Sequence, residues 1–358
     1  MNIITATRSY EAWLAAQTTV VKTDLRQKHR DMRSDPFIFL RATFYRWTQI
    51  WPGLCADLGD GPSVLSVGDL HVENFGTWRD SDGRLIWGVN DFDEVYPLPY
   101  TNDLVRLATS VALAIRRGHL DISLAKACDA LLEGYEKGLT EGGRPFVLEE
   151  RHGKLRHMAI GDLKSPKRFW DKLDRLPTVN ETVPADAIAA IERLMPEKGV
   201  PYRIVHRKAG EGSLGRQRYL ALCEWKGGRI AREAKAVVPS ACVWAKGTRD
   251  EQIRIQELVD RAVQCPDPFL LVAGSWVVRR KAPDCSRIEL LSLPEVAEER
   301  SLLKAMGRET ANIHLGTAGQ ESAVLRDLRR RPGSWLRDSA ADMTAAVRAD
   351  FDVWRKRR

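Results

Sequence analysis

Ser66-Val67-Gly68-Asp69-Leu70-His71-Val72-Glu73-Asn74-Phe75-Gly76, followed by Val89-Asn90-Asp91-Phe92-Asp93-Glu94, packs carboxylates, carboxamides and an imidazole into two short pieces of chain. Apolar runs lead into both, Val64-Leu65-Ser66-Val67 into the first and Leu85-Ile86-Trp87-Gly88-Val89 into the second. Such short runs, rich in β-branched and aromatic residues, read as strands, so the polar residues fall where two strands end. Loops at strand ends are where a rigid scaffold presents chemistry.

Helical periodicity surrounds this core. Residues 8 to 30 read as one amphipathic helix, and Asp35-Pro36 opens another whose Phe37, Leu40, Phe44, Trp47 and Trp51 recur every three or four residues until Pro52-Gly53 closes it. Beyond Pro97 and Pro99, a helix runs from Asn102 to about Arg117 with Leu104, Leu107, Val111 and Ile115 on its buried face, Asp103 reading as a cap. Asp121-Ile122-Ser123 caps a further helix to about Lys137, where Gly138, Gly142 and Gly143 break the chain. Residues 150 to 200 are charged and interrupted by Pro177, Pro184 and Pro196, as a connection would be.

Period-two alternation then predicts strands over 202 to 207, 219 to 225 and 229 to 238, with Lys226-Gly227-Gly228 as a tight hairpin turn. A helix near 250 to 264 and strands near Trp276 to Arg280 and Arg287 to Leu291 complete a small antiparallel unit. Helical pattern returns at Ser301 to His314, with Leu303, Met306, Thr310 and Ile313 on one stripe, and from about Ser339 to Trp354. The expected fold class is α+β: a large helical lobe over residues 1–160, a connection over 161–198, a small β lobe over 199–295, and C-terminal helices over 296–358 returning to the large lobe.

Composition narrows the function classes. The six cysteines are scattered with no C-x-x-C pair, which points to thiols in a reducing compartment rather than to disulfides or a zinc knot. No window approaches 18 uncharged apolar residues, and the first residues lack the basic start and apolar core of a secretory signal, so the expectation is a cytoplasmic protein without a membrane partner. The net charge of +8 is spread thinly except at Arg326 to Arg331 and Trp354 to Arg358, which read as solvated helix faces. No nucleic-acid recognition signature accompanies it, and oligomeric state leaves no mark in the sequence.

Phosphoryl transfer requires a carboxylate near the attacking hydroxyl and oxygen ligands that hold magnesium against nucleotide phosphates. Asp69, Asn74 and Asp91 supply those residue types, while Asp93 and Glu94 read either as further metal or substrate contacts or as a solvated loop. His71 reads as a positioning or core contact before a proton carrier. Between two predicted strands lies Ala209-Gly210-Glu211-Gly212-Ser213-Leu214-Gly215, whose Gly210, Gly212, Ser213 and Gly215 can let backbone N–H groups approach phosphate. Alternation puts Ala231, Glu233, Lys235 and Val237 on one strand face, from which Lys235 can reach a phosphate chain. In protein kinases, which this set of residues resembles, a helix glutamate pairs with such a lysine, and that resemblance implies Glu257 as its partner, with Glu251 and Glu233 as rivals.

The spacing from Asp69 to Asn74 is that of the protein-kinase catalytic loop, and Asp91-Phe92 begins like its metal-binding motif. The sequence thus resembles the protein-kinase-like superfamily, and especially small-molecule phosphotransferases of the aminoglycoside type, through Gly68-Asp69-Leu70-His71, Asn74, Asn90-Asp91-Phe92 and Asp103-Leu104. The loop departs from the shortest of these relatives by two extra residues between Asp and Asn. The resemblance implies Asp69 as the base or hydroxyl-orienting carboxylate, Asn74 and Asp91 as metal ligands, and Lys235 as the nucleotide-binding lysine. The glycine loop, Lys235 and the helix ending at His314 all follow the catalytic loop here instead of preceding it, which implies a circular permutation of a two-lobed kinase-like fold.

The whole arrangement is similar to the bacterial family called domain of unknown function 2252. The likeness is carried by Gly68 to Gly76, Asn90 to Glu94, Gly212-Ser213-Leu214-Gly215-Arg216, Arg232-Glu233-Ala234-Lys235-Ala236 and Trp276-Val277-Val278-Arg279. Where that family tends to read Arg-Glu-Leu, this chain has Arg279-Arg280-Lys281. The functional expectation is a phosphotransferase using ATP and Mg2+ on a hydroxyl of an unidentified small-molecule acceptor. The alternatives are a nucleotide-binding pseudokinase or an adenylyltransferase on the same fold. A metal-dependent phosphoesterase fits less well, because His29, His119, His152, His157, His206 and His314 fall in no two-metal motif.

Overall fold

Four consecutive β-branched residues, Thr18 to Val21, divide the expected first helix into α1 (Ile3–Gln17) and α2 (Lys22–Asp31). Their stiff side chains favour extended backbone, which Thr18 adopts, and Val20 forms a bridge with Arg216. The computed structural model describes residues 1–149, 152–161, 165–179, 181–285 and 296–357. The second expected helix is also two, α3 (Pro36–Ala42) and α4 (Phe44–Leu54). Asp35 caps α3 by accepting from the Phe37 and Ile38 N–H groups, and Thr43 leaves the helical region at φ −127°, ψ 40°. Pro52 lies inside α4 and does not end it, while the aromatic stripe is buried as the periodicity predicts.

The polar loops of the opening stretch hang from four short strands: β1 (Ser63–Ser66), β2 (Phe75–Arg79), β3 (Leu85–Val89) and β4 (Tyr96–Pro99). Next come α5 (Tyr100–Arg116), α6 (Leu124–Thr140) and β5 (Phe146–Val147). β1 pairs with β4, and β2, β3 and β5 form a second small sheet, all antiparallel. α5 is buried from Tyr100 through Ala114, which makes it the axis of the helical part.

The connection holds α7 (Gly153–Gly161), α8 (Pro166–Asp174) and α9 (Ala185–Glu192). A five-stranded antiparallel sheet follows, built from β6 (Arg203–His206), β7 (Arg218–Trp225), β8 (Gly228–Ala236), β9 (Leu271–Ala273) and β10 (Trp276–Lys281) in the order β6-β7-β8-β10-β9. Lys226 and Gly227, at φ 48° and 78°, make the expected hairpin turn. On one face of this sheet Tyr219, Ala234 and Trp276 pack against Ala187 and Ile191 of α9. The expected strand over Arg287 to Leu291 lies outside the described residues. Helices α10 (Ala241–Lys246) and α11 (Ile255–Arg261) sit between β8 and β9, the latter shorter than the 250 to 264 expected. The C-terminal helices are α12 (Val296–His314), α13 (Glu321–Arg330), which carries most of the basic run read as a solvated helix face, and α14 (Trp335–Arg355), which begins before Ser339.

All six cysteines are free thiols. Among the described residues no helix is long and apolar enough to cross a membrane.

Gly138 does not break its helix. α6 continues through it to Thr140 because the glycines of α6 and α12 bring the two backbones together. A β-carbon at Gly134 would overlap the Lys304 carbonyl, one at Gly307 the Leu131 carbonyl, and one at Gly138 would lie 2.7 Å from Ala311 Cβ. Gly307→Ala is expected to lower stability by about 1–3 kcal/mol through overpacking. Gly53→Ala, in α4 with open space around it, should instead be stabilising by roughly 0.5–1 kcal/mol. Urea denaturation of the two variants checks the contrast.

Candidate functional site

Asp103 fixes the first loop. It was read as a helix cap, but α5 starts three residues before it, so the buried carboxylate faces β1 and accepts from Val67 N at 2.8 Å and Gly68 N at 2.9 Å. His314 Nε2 lies 3.1 Å from the same carboxylate and His314 Nδ1 2.7 Å from the Tyr135 hydroxyl. Gly68 turns the chain at φ +80°, where a β-carbon would strike the Glu94 carbonyl. The loop then closes on itself: the Asn74 side-chain oxygen accepts from His71 N at 2.6 Å, and His71 Nδ1 accepts from Glu73 N at 3.2 Å. His71 therefore holds a single 3₁₀ turn over Val72–Asn74.

Asp69 projects from this loop onto Arg106 of α5. The fully buried guanidinium donates to Asp69 Oδ1 through Nε at 2.8 Å and through Nη2, and to the Leu40 carbonyl at 2.9 Å. It lies 5.0 Å from the Phe44 ring centre and 4.9 Å from that of Trp47. Burial pushes the Asp69 carboxyl up to about 7, with Arg106 pulling the other way.

The second loop, after β3, meets the five-stranded sheet. Register puts Arg218, Glu233, Lys235, Arg279 and Lys281 on one face of β7, β8 and β10. From that face Lys235 Nζ reaches Asp93 Oδ1 at 2.5 Å and Asp91 Oδ1 at 3.4 Å. Buried Arg216 lies 3.5 Å from Asp93 and 3.3 Å from Glu94. Glu94 also accepts from Ser240 Oγ at 3.1 Å and Ala241 N at 2.7 Å, so it is a buried contact at the start of α10 and not a solvated loop residue. Burial raises its pKa, against the pull of Arg216.

Glu257 does not join this site. It pairs with Arg254 at 3.3 Å and Arg261 at 3.0 Å, both in reach one helical turn away, while Lys235 takes aspartates as partners. Glu251 is exposed, and Glu233 is enclosed by Arg207, Arg218 and Lys281.

The glycine-bearing turn between β6 and β7 covers both loops. Gly210 and Gly215 take φ +79° and +101°, which only glycine adopts cheaply. Gly212 packs over Asp69, where a β-carbon would stand 3.4 Å from Oδ2, and Ser213 Oγ accepts from Arg218 at 2.8 Å. α2 pins this turn, for Lys28 Nζ donates to the Gly212 carbonyl at 2.9 Å and Val21 N to the Gly215 carbonyl at 2.8 Å. Asp69, Asn74, Asp91, Asp93 and the turn enclose about 30 Å³, the size of a water molecule. Beside it opens a cleft of about 740 Å³ lined by Asp91, Lys235, Gly210 and the charged face of the sheet.

Residues 20–164 match the family model described as an uncharacterized protein conserved in bacteria (DUF2252). The matched stretch holds Asp69, His71, Asn74, Asp91 and Asp93, while the glycine turn and Lys235 lie beyond it. No curated protein and no solved structure matches the chain.

Sequence reading overlooked Arg106, Arg216 and Lys28. Arg106 had a signal, a cation within an otherwise apolar helix three residues after Asp103; Lys28 had none, lying in a helix crowded with charges. Arg106→Met should raise the Asp69 pKa by about one pH unit or more, since an opposite charge in contact is removed. Titration of the Asp69 carboxyl ¹³C resonance measures this directly.

Proposed function

We propose that this protein is a magnesium- and ATP-dependent phosphotransferase acting on a hydroxyl of a small-molecule acceptor, with a protein-kinase-like two-lobed fold in circularly permuted order. The observation that carries the reading is the meeting of Lys235 with Asp91 and Asp93, 144 and 142 residues earlier in the chain. Support for the permutation comes from α12, whose His314 bonds to Asp103, and from Thr317 just after it, whose hydroxyl accepts from Leu65 N at 2.7 Å. The end of that helix thus abuts the strand leading to Asp69, as it would if the chain ran directly from one to the other.

In this reading the nucleotide occupies the 740 Å³ cleft, a volume within the usual range for ligand pockets. Val259, Leu270 and Val277 offer apolar lining for a base, and the glycine turn and Lys235 face the phosphates. Among the described residues no three acidic, histidine or cysteine side chains converge as a self-sufficient metal cage. Magnesium held with nucleotide does not need one, because it takes one or two protein oxygens and completes its shell with phosphates and water. The all-oxygen set of Asp91, Asn74 and Asp93 fits that requirement. Bound there, magnesium would neutralise charge on the transferring phosphate.

Asp69 is the hydroxyl-orienting carboxylate or base. Arg106 occupies Oδ1 and leaves Oδ2 toward the glycine turn, where an acceptor hydroxyl would be met. A pKa near 7 suits a base working at neutral pH. The tight cover of Gly212 over Asp69 favours a second reading, nucleotide binding without transfer. Adenylyl transfer is separated from both by the mass added to an acceptor.

Calorimetry with ATP and magnesium tests the proposal. Asp91→Ala should abolish the magnesium-dependent part of binding. Asp69→Asn should spare binding and lower turnover by roughly 10²–10⁴-fold. Wild-type turnover should rise with pH through about 7 and level off above it, because the base acts deprotonated. Folded protein that binds no ATP sinks the idea, and so does full turnover in Asp69→Asn.

A further inference from the structure

Charge is shared unevenly between two neighbouring positions of the cleft-facing side of β8. Lys235 faces two carboxylates. Glu233, two residues earlier on the same face, faces three cations: Arg207 at 2.6 Å, Arg218 at 2.8 Å and Lys281 at 3.2 Å. Glu233 is 3% exposed and Arg218 8%. Among the described residues no other carboxylate pairs with these cations, so the cluster carries an excess of two positive charges.

Three like charges that share one carboxylate are costly where they are partly withdrawn from water, and here the Arg207 and Lys281 side chains keep 29% and 26% of their exposure. Lys281 registers the cost: burial, with Arg207, Arg218 and Arg279 adding to it against the pull of Glu233, holds its ammonium down at about 8. Arg207, Arg218, Glu233 and Lys281 all line the 740 Å³ cleft. Arginine forks and an ammonium converging on one cleft wall match the oxygens of a phosphoryl group. Glu233 has its own task, for it holds the three cations together in the absence of that group.

We infer that Arg207, Arg218 and Lys281, organised by Glu233, form a second anion-binding pole of the cleft that takes a phosphoryl group, apart from the pole made by Lys235, Asp91 and Asp93. The inference stands on charge balance and geometry, whether or not Asp69 supports transfer. The phosphoryl group can belong to the nucleotide itself, lying with its phosphates along β8, or to a separate phosphorylated molecule.

The probe is pyrophosphate, titrated calorimetrically into the full chain without magnesium. Binding is expected, weakening as salt is raised. Lys281→Met and Arg207→Gln should each weaken it by about tenfold or more, as loss of a charged hydrogen bond does. Glu233→Gln should tighten it, a response that damage to the fold cannot imitate. With Mg-ATP analogue bound first, displacement of pyrophosphate assigns the group to the nucleotide, and simultaneous binding assigns it to a second molecule. The inference is overturned if pyrophosphate does not bind. It is equally overturned if binding ignores Lys281→Met and Arg207→Gln while Lys235→Met abolishes it.

Discussion

One ammonium between two carboxylates ties the five-stranded sheet to the helical part of the molecule. Lys235 comes from the middle of the five-stranded sheet, Asp91 and Asp93 from the end of β3 in the helical part. The contact does not stand alone. Asp93 lies between Lys235 and Arg216, and Glu94 lies between Arg216 and the first N–H groups of α10. Positive and negative groups therefore alternate along the seam, each partly withdrawn from water. Each of Lys235, Asp93, Arg216 and Glu94 has partners on two sides, so loss of one charge leaves its neighbours with half their compensation in a setting where burial makes that costly. The register of β8 against β10 and the exit path of β3 are constrained by that alternation as much as by apolar packing.

Burial raises two carboxyl groups to about 7 against different opposing partners. Burial dominates for Asp69, and the arginine beneath it opposes the shift without cancelling it. Glu309, on α12, is also fully buried, but the groups around it are the Val89 N–H at 3.1 Å and the amides of Gln264 and Asn312. It sits against Gly88, where any β-carbon would collide with it. The first carboxyl faces a cavity and can exchange protons there, while the second serves the packing of α12 on β3.

What the sequence disclosed follows from the range of the interactions. The strand ends were legible because the apolar runs before Val67 and Asn90 are local patterns. Lys235 was legible because strand alternation fixes its face. The β-branched run at Thr18 to Val21 also carried a local signal for the helix break there. Glu257 shows the same logic in reverse, since its arginines three residues before and four after were visible in the sequence and explain why it stays away from Lys235. Arg218 and Lys281 come from two strands and Arg207 from just beyond the end of a third, and nothing local announces that they enclose one glutamate. Gly138 reads as the end of its helix because nothing local shows the backbone of α12 that packs against it.

The hold of α2 on the glycine turn sets the terms on which anything larger than water approaches Asp69. The turn lies over the carboxylate and is bonded at Gly212 and Gly215 to Lys28 and Val21. Lifting it breaks those bonds, so the accessible state is a higher-energy member of the ensemble. A ligand that needed Asp69 would bind with its intrinsic affinity scaled by the fraction of molecules in that state. A helix outside the cleft would thereby set the apparent strength with which such a ligand is held.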